Sequence, residues 1–310
     1  MTNSLTVKKR ISGRDKHKML SCYIILLPSI IGFLVFTLYP MLWAASKAFL
    51  YYTGTPSQTK FVGIENFIRI VTKDTVYWNT WLNTFMFAIG KLPIELPLAM
   101  LVAICLHGRL KGAGFYRTMF YLPCVISVAI VGLIFTNLFD YFGFINAWLV
   151  KLGVIKEPIE WFTNYGTAMT ALIFGAVWNT FGTNVLYFLA AMANVPEELY
   201  ESARLDGASG WTTFWKITLP MMAPVLQTIL LLSLTGTIHT SDYILVTTNG
   251  APHGSTFTVM AYIVSKFVPG FADAAVNIGY GCAMSIITSV LMVAVALTYS
   301  KLSNKMQSIY

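Results

Sequence analysis

Four ionisable side chains stand in an apolar chain where they need an explanation: Lys91 and Glu95, four residues apart, and His239 and Asp242, three apart. Residues i and i+4 share one helical face, so Lys91 and Glu95 can pair. Pairing offsets much of the roughly 2.5–3.5 kcal/mol that a lone charge costs at bilayer depth. The same residues could instead relay a proton or ion, and His239 and Asp242 also fit the water-reached rim of an outer mouth. Two stripes add hydroxyls and amides: Ser233, Thr237 and Thr240 at i, i+4 and i+7, and Asn179, Thr180 and Thr183, with Tyr187 a turn further on. Such groups can hydrogen-bond a polyhydroxylated solute, with Trp178, Phe181, Tyr187 and Tyr243 as apolar platforms. They can equally hold helices together at about 0.6 kcal/mol each. The residues alone leave both uses open.

No catalytic constellation accompanies them. HExxH, GxSxG and the phosphate-cradling GxxxxGK[ST] are absent. Cys22, Cys105, Cys124 and Cys282 stand singly, so neither a disulfide framework nor a metal site is readable. The expectation is a chain that is not an enzyme, binds no metal and holds no cofactor.

The elements that position these residues follow from composition. Of 310 residues, 56% are hydrophobic and 11% charged, against about 25% charged in soluble chains. A hydrocarbon core of roughly 30 Å needs about 20 helical residues. Six stretches qualify, over 20–45, 81–106, 120–138, 167–192, 222–246 and 276–299. The first is too long for a cleavable signal peptide and has no small-residue cleavage site, so it reads as a retained span. The fold class is an all-α polytopic membrane protein. Pro28, Pro40, Pro93, Pro97 and Pro123 fall in or beside these stretches, as packing kinks or as hinges. Gly279 and Ala283, four apart, would admit another helix closely.

Charge sets the orientation. With the N-terminus inside, thirteen Lys and Arg lie on the cytoplasmic side, including Lys8, Lys9, Arg10, Arg14, Lys16 and Lys18 of the leading arm. Seven lie outside and Lys91 is within a span, which accounts for all 21. This bias predicts both termini in the cytoplasm. It also explains the formal charge of +8 without nucleic acid.

The segment between spans four and five is delimited as a helix-turn-helix. Pro196, Glu197 and Glu198 suit a helix start, Gly207 suits a left-handed stop, and a second short helix begins near Ser209. Leu199 and Ala203 share a face, and Trp211, Phe214 and Trp215 follow closely. Aromatic residues there need cover, either from the helix ends or from a docking partner.

Glu201-Ser202-Ala203, three residues, Gly207, nine residues, Ile217, one residue, then Leu219-Pro220 resembles the EAA loop of permease subunits of binding-protein-dependent ABC importers. Ser202 stands for the usual first alanine. The resemblance extends through Phe61-Val-Gly-Ile-Glu-Asn-Phe67, Asn83-Thr84, Gly112 with Phe115-Tyr-Arg117, Leu122-Pro123 and Thr248-Asn-Gly-Ala-Pro252. These look like the sugar-transporting, maltose-permease branch, in which Ala251 is more often glycine.

That resemblance implies a six-span type I importer permease. Its loop would form a coupling helix seated on an ATPase, through Glu201, Ser202, Ala203, Asp206, Gly207, Ile217, Leu219 and Pro220. It implies a sugar site at positions matching Asn179, Thr180, Thr183, Ser233, Thr237 and Thr240, which Tyr187 and Asp242 adjoin on the polar stripes. The implied partners are a second homologous permease, an ABC ATPase dimer carrying ATP and Mg, an extracytoplasmic solute-binding protein and a carbohydrate, in a prokaryotic cell membrane. The expected domains are a basic arm over 1–19, the permease over 20–300 with its coupling loop over 196–219, and a tail over 301–310. An ion-coupled secondary transporter is the alternative, motivated by the four ionisable residues. It would not need the aromatic docking loop, and the internal repeats such transporters usually show are not detectable.

Overall fold

The structure, a computed structural model, describes residues 13–108, 111–267 and 276–307. Lys8, Lys9 and Arg10 of the basic arm, and Arg109, lie outside the described residues. Helix α1 (Gly13–Phe33) runs through a wide turn at Leu34–Leu38 into α2 (Tyr39–Lys47). There the Tyr39 N–H reaches five residues back to the Leu34 carbonyl. Pro40 follows at once, and its missing N–H disrupts the regular ladder at this point. A two-stranded antiparallel ribbon, β1 (Leu50–Tyr51) with β2 (Lys60–Phe61), leads to α3 (Glu65–Thr72). Asn66 fixes this segment by donating to the carbonyls of Ala48 and Leu50, 2.9 and 3.1 Å away.

Helix α4 (Thr75–His107) is continuous in spite of Pro93 and Pro97. Asp74 caps it by accepting from the Tyr77 N–H at 2.9 Å. Two shorter helices, α5 (Ala113–Val125) and α6 (Val128–Leu138), meet at 91°. The straight span expected over 120–138 is therefore broken. Pro123 lies near the end of α5, and its carbonyl takes the Ile126 N–H and the Asn179 side-chain amide. A broken helix persists in lipid only where such groups satisfy it.

After α7 (Phe144–Lys151), α8 (Tyr165–Ala193) packs along α4 and is crossed by α5. Gly182 sets the crossing with α5, and Gly175 lets α6 and the Tyr243 side chain approach α8. A Cβ at Gly182 would fall on the Phe120 carbonyl, and one at Gly175 on the Tyr243 hydroxyl and the Phe135 ring. Gly182→Ala is expected to force α5 off α8 and to destabilise the bundle by about 1–3 kcal/mol. Thermal unfolding of the solubilised protein would detect this, and an unchanged midpoint would rule out a close crossing.

The short helical pair α9 (Glu197–Leu205) and α10 (Gly210–Thr213) leads, through a second wide turn at Phe214–Thr218, into α11 (Leu219–Ile238). The span expected over 222–246 stops at Ile238. Thr237, His239, Thr240 and Ser241 turn the chain there, and α12 (Asp242–Thr247) packs separately against α6. Then come α13 (Val259–Ser265) and α14 (Ile278–Gln307). Asn83 and Thr84 tie α13 to α4: Asn83 donates to the carbonyls of Ser255 and Phe257, and Thr84 accepts the Val259 N–H. Gly279 lets the end of α2 and the chain just beyond it approach α14 closely. Its neighbours are the Leu50 and Lys47 carbonyls, and its N–H bonds Tyr52.

Among the described residues, five helical stretches are long and apolar enough to cross a bilayer, and the bent pair makes a sixth when it is taken as one span. The most apolar window of the first, Cys22–Lys47, buries nothing within the chain. Two apolar clusters fill the interior. One contains Tyr77, Phe87, Leu172, Ile244 and Met284, the other Leu96, Ala103, Val185, Leu189 and Met222. Along α4 and α8 a polar layer falls between them.

Candidate translocation site and coupling surface

That layer is built on α4. Lys91 Nζ lies 3.1 Å from Glu95 Oε2, with side chains only 5% and 0% exposed. Glu95 Oε1 accepts from the Thr180 hydroxyl and the Asn184 amide, each at 2.7 Å. Asn184 Oδ1 accepts from Ser233 at 3.0 Å, and Lys91 donates to Thr237 at 3.1 Å. Three helices, α4, α8 and α11, are thus joined at one level by hydrogen bonds to charged groups. The Lys91–Glu95 pairing expected from spacing is present. Ser233 and Thr237 act here as helix-to-helix partners, the alternative that the sequence left open.

On the side of this layer away from the 196–219 loop lies a cavity of about 210 Å³ lined by Lys91, Asn179, Thr180, His239, Thr240 and Asp242, with Ser241, Tyr243, Val128 and Ala176 completing its wall. His239 and Asp242 are exposed at its edge, as a polar mouth requires. Four of the eight residues singled out in the stripes, Asn179, Thr180, Thr240 and Asp242, come together here. Thr183 and Tyr187 do not line it. Asn179 also has the structural duty of satisfying Pro123. The residue that sequence reasoning missed is Asn184, one turn beyond Thr180 and therefore on the same face. A larger groove of about 640 Å³ between α4 and α14 is lined by Trp78, Trp81, Leu82, Phe85 and Leu291 and carries no charge, so it offers a polar solute little.

At the other end of α8 the loop has two faces. Ala203 is buried, while Leu199, Phe214, Ile217 and Leu219 are half-buried; Leu199, Tyr200 and Ile217 pack on the cluster that contains Leu96 and Met222. The Leu199 and Ala203 face is therefore covered by the chain itself. Tyr200 closes the loop with a 3.2 Å hydrogen bond between its hydroxyl and Thr218. Glu201, Ser202, Asp206, Gly207 and Pro220 face outward. Beside them Leu205 is 89%, Trp211 73% and Trp215 50% exposed. This apolar surface is the part that a partner would cover. Gly207 ends α9 in the left-handed region at φ 71°, and Ser209 caps α10 by accepting the Thr212 N–H. The second wide turn repeats the first: Leu219 bonds back to Phe214, and Pro220 follows. The terminal Leu-Pro pair therefore marks where the loop meets α11.

A bundle of membrane-crossing helices, with a polar cavity at mid-chain depth and an exposed apolar loop opposite, defines a transmembrane transport subunit. Residues 95–308 match the family described as binding-protein-dependent transport system inner membrane component. The chain belongs to that family, as a permease subunit of an ABC importer. It is 34% identical over 270 residues to the lactose transport system permease protein LacF of Rhizobium radiobacter, covering 85% of this chain and 90% of that one. It is 32% identical over 286 residues to the arabinooligosaccharides transport system permease protein AraP of Bacillus subtilis, covering 91% and 88%. Its fold matches a chain of a bacterial ABC transporter involved in import of the acidic polysaccharide alginate, with TM-score 0.78, 23% identity, and coverage of 94% and 98%. The permease reading stands, and the ion-coupled alternative has no further support.

Proposed function

We propose that this chain forms half of the pathway of an ATP-driven saccharide importer and passes its cargo through the cavity between α8 and the turn that joins α11 to α12. The observation that carries the reading is the convergence of Asn179, Thr180, Thr240 and Asp242 on one cavity. Hydroxyl, amide and carboxylate groups there match the donors and acceptors of a sugar. The sugar-permease relatives support the same class of cargo. The chain pairs with a second homologous permease, receives cargo from an extracytoplasmic solute-binding protein, and docks ATPase subunits that hold ATP and Mg. Both termini lie in the cytoplasm, as the charge bias favours. The exposed Leu205, Trp211 and Trp215 surface, with Glu201 and Asp206, meets the ATPase.

The test is uptake by the assembled complex in liposomes, with its binding protein outside and ATP inside. Lactose, maltose, trehalose and arabinooligosaccharides form the panel. Saturable uptake of at least one, lost when ATP is withheld, is the expected result. Uptake of these sugars without ATP, or uptake of none, would overturn the reading.

A further inference from the structure

Lys91 has a place in the molecule that ion pairing does not exhaust. An ammonium has three N–H donors. One is directed to Thr237 and another lies toward Glu95, which leaves one direction without a partner among the described residues. Lys91 also lines the cavity that contains Asn179, Thr180 and Asp242. Its counter-ion sits on the other side: Glu95 is fully buried, does not line the cavity, and spends Oε1 on Thr180 and Asn184 of α8. Glu95 Oε2 receives no aligned hydrogen bond and has only the nearby ammonium. A pair serving only to neutralise itself would gain from closing that bond and turning away from the polar space. Here the carboxylate is anchored in the helix packing, and the ammonium is set at the cavity wall.

We propose that Lys91 is a substrate-contacting residue of the pathway, donating from its ammonium to a hydroxyl oxygen of the passing saccharide, and that Glu95 and Thr237 are its positioning residues. This rests on the saccharide-importer reading. Because the polar layer divides the two apolar clusters, the contact is made at the level between them. A solute offering an acceptor there replaces the hydrogen bond that Lys91 otherwise lacks, whereas a solute without one leaves the donor unpaired.

The decisive variant is Lys91→Met/Glu95→Gln. It removes both charges together, keeps side chains of similar length, and leaves a glutamine carbonyl to accept from Thr180 and Asn184. In the liposome assay, saccharide moved per ATP hydrolysed is expected to fall about tenfold or more, the size of a lost charged hydrogen bond. Hydrolysis stimulated by the binding protein is expected to stay within about twofold of the unsubstituted complex. A merely structural role would move both together. Lys91→Arg, which keeps the charge and the donors, is expected to restore most of the ratio.

If the double variant does not assemble, the inverted pair Lys91→Glu/Glu95→Lys retains both charges while removing the donor from the wall, and is expected to show the same loss. An unchanged ratio in either assembled variant overturns the proposal. Failure of both to assemble makes the pair a clamp and overturns it too. Absence of ATP-driven saccharide uptake by the unsubstituted complex would instead sink the importer reading, and this inference with it.

Discussion

Glu95→Ala is expected to destabilise the assembled protein by about 3–5 kcal/mol, the usual consequence of removing one partner of a buried ion pair. The loss is compounded. Lys91 keeps its charge in a site only 5% exposed, and Thr180 and Asn184 lose the oxygen that accepts both their hydrogen bonds. Abundance in the membrane and the thermal midpoint of the solubilised complex should both drop sharply. Adding Lys91→Met should recover a large part of the loss, because the stranded charge is then gone. A Glu95→Ala protein with the midpoint of the unsubstituted one would show that water already reaches Lys91 and that the layer is not a structural unit.

Gly207→Pro is expected to abolish uptake while leaving the chain in the membrane in near-normal amount. Gly207 holds φ at 71° and donates its N–H to the Arg204 carbonyl at 3.1 Å. Proline has φ near −65° and no N–H, so the stop of α9 cannot form and the angle between α9 and α10 changes. None of the spans contains this position, and nothing lies within 4 Å of its added Cβ, so insertion has no reason to suffer. In the coupling role proposed for the loop, motion at the ATPase would then no longer be transmitted to α8 and α11. Gly207→Asn tests the cause, because asparagine tolerates the left-handed region and should keep most activity. The checks are uptake rate and co-purification of the ATPase. Normal transport by a correctly assembled Gly207→Pro protein would remove the loop from the coupling role.

Much of this protein is legible from local properties. Hydropathy and length located four of the spans closely, because a helix in lipid needs a continuous apolar run whatever its neighbours are. The loop between α8 and α11 was equally readable: Pro196, Gly207 and Ser209 act within a few residues of themselves, and the structure places α9 between Pro196 and Gly207 and starts α10 directly after Ser209. Lys91 and Glu95 could be paired on paper because one helical turn brings them together.

The breaks in spans three and five were not legible, since each depends on partners distant in sequence. The 91° bend between α5 and α6 leaves a Pro123 carbonyl that Asn179 satisfies from 56 residues away, and Pro123 alone does not reveal that donor. The chain leaves α11 at Ile238 and packs α12 against α6, a contact that hydropathy over 222–246 cannot express. The same limit applies to the polar stripes. Period 3.6 placed Ser233, Thr237 and Thr240 on one face, but only the approach of α4 and α8 turned Ser233 and Thr237 into helix partners while leaving Thr240 at the cavity. Sequence by itself determined which residues are polar and which face of a helix they share. The tertiary structure decided which of those faces meet a neighbour and which meet open space, because hydrogen bonds between helices are set by packing distance, not by spacing along the chain.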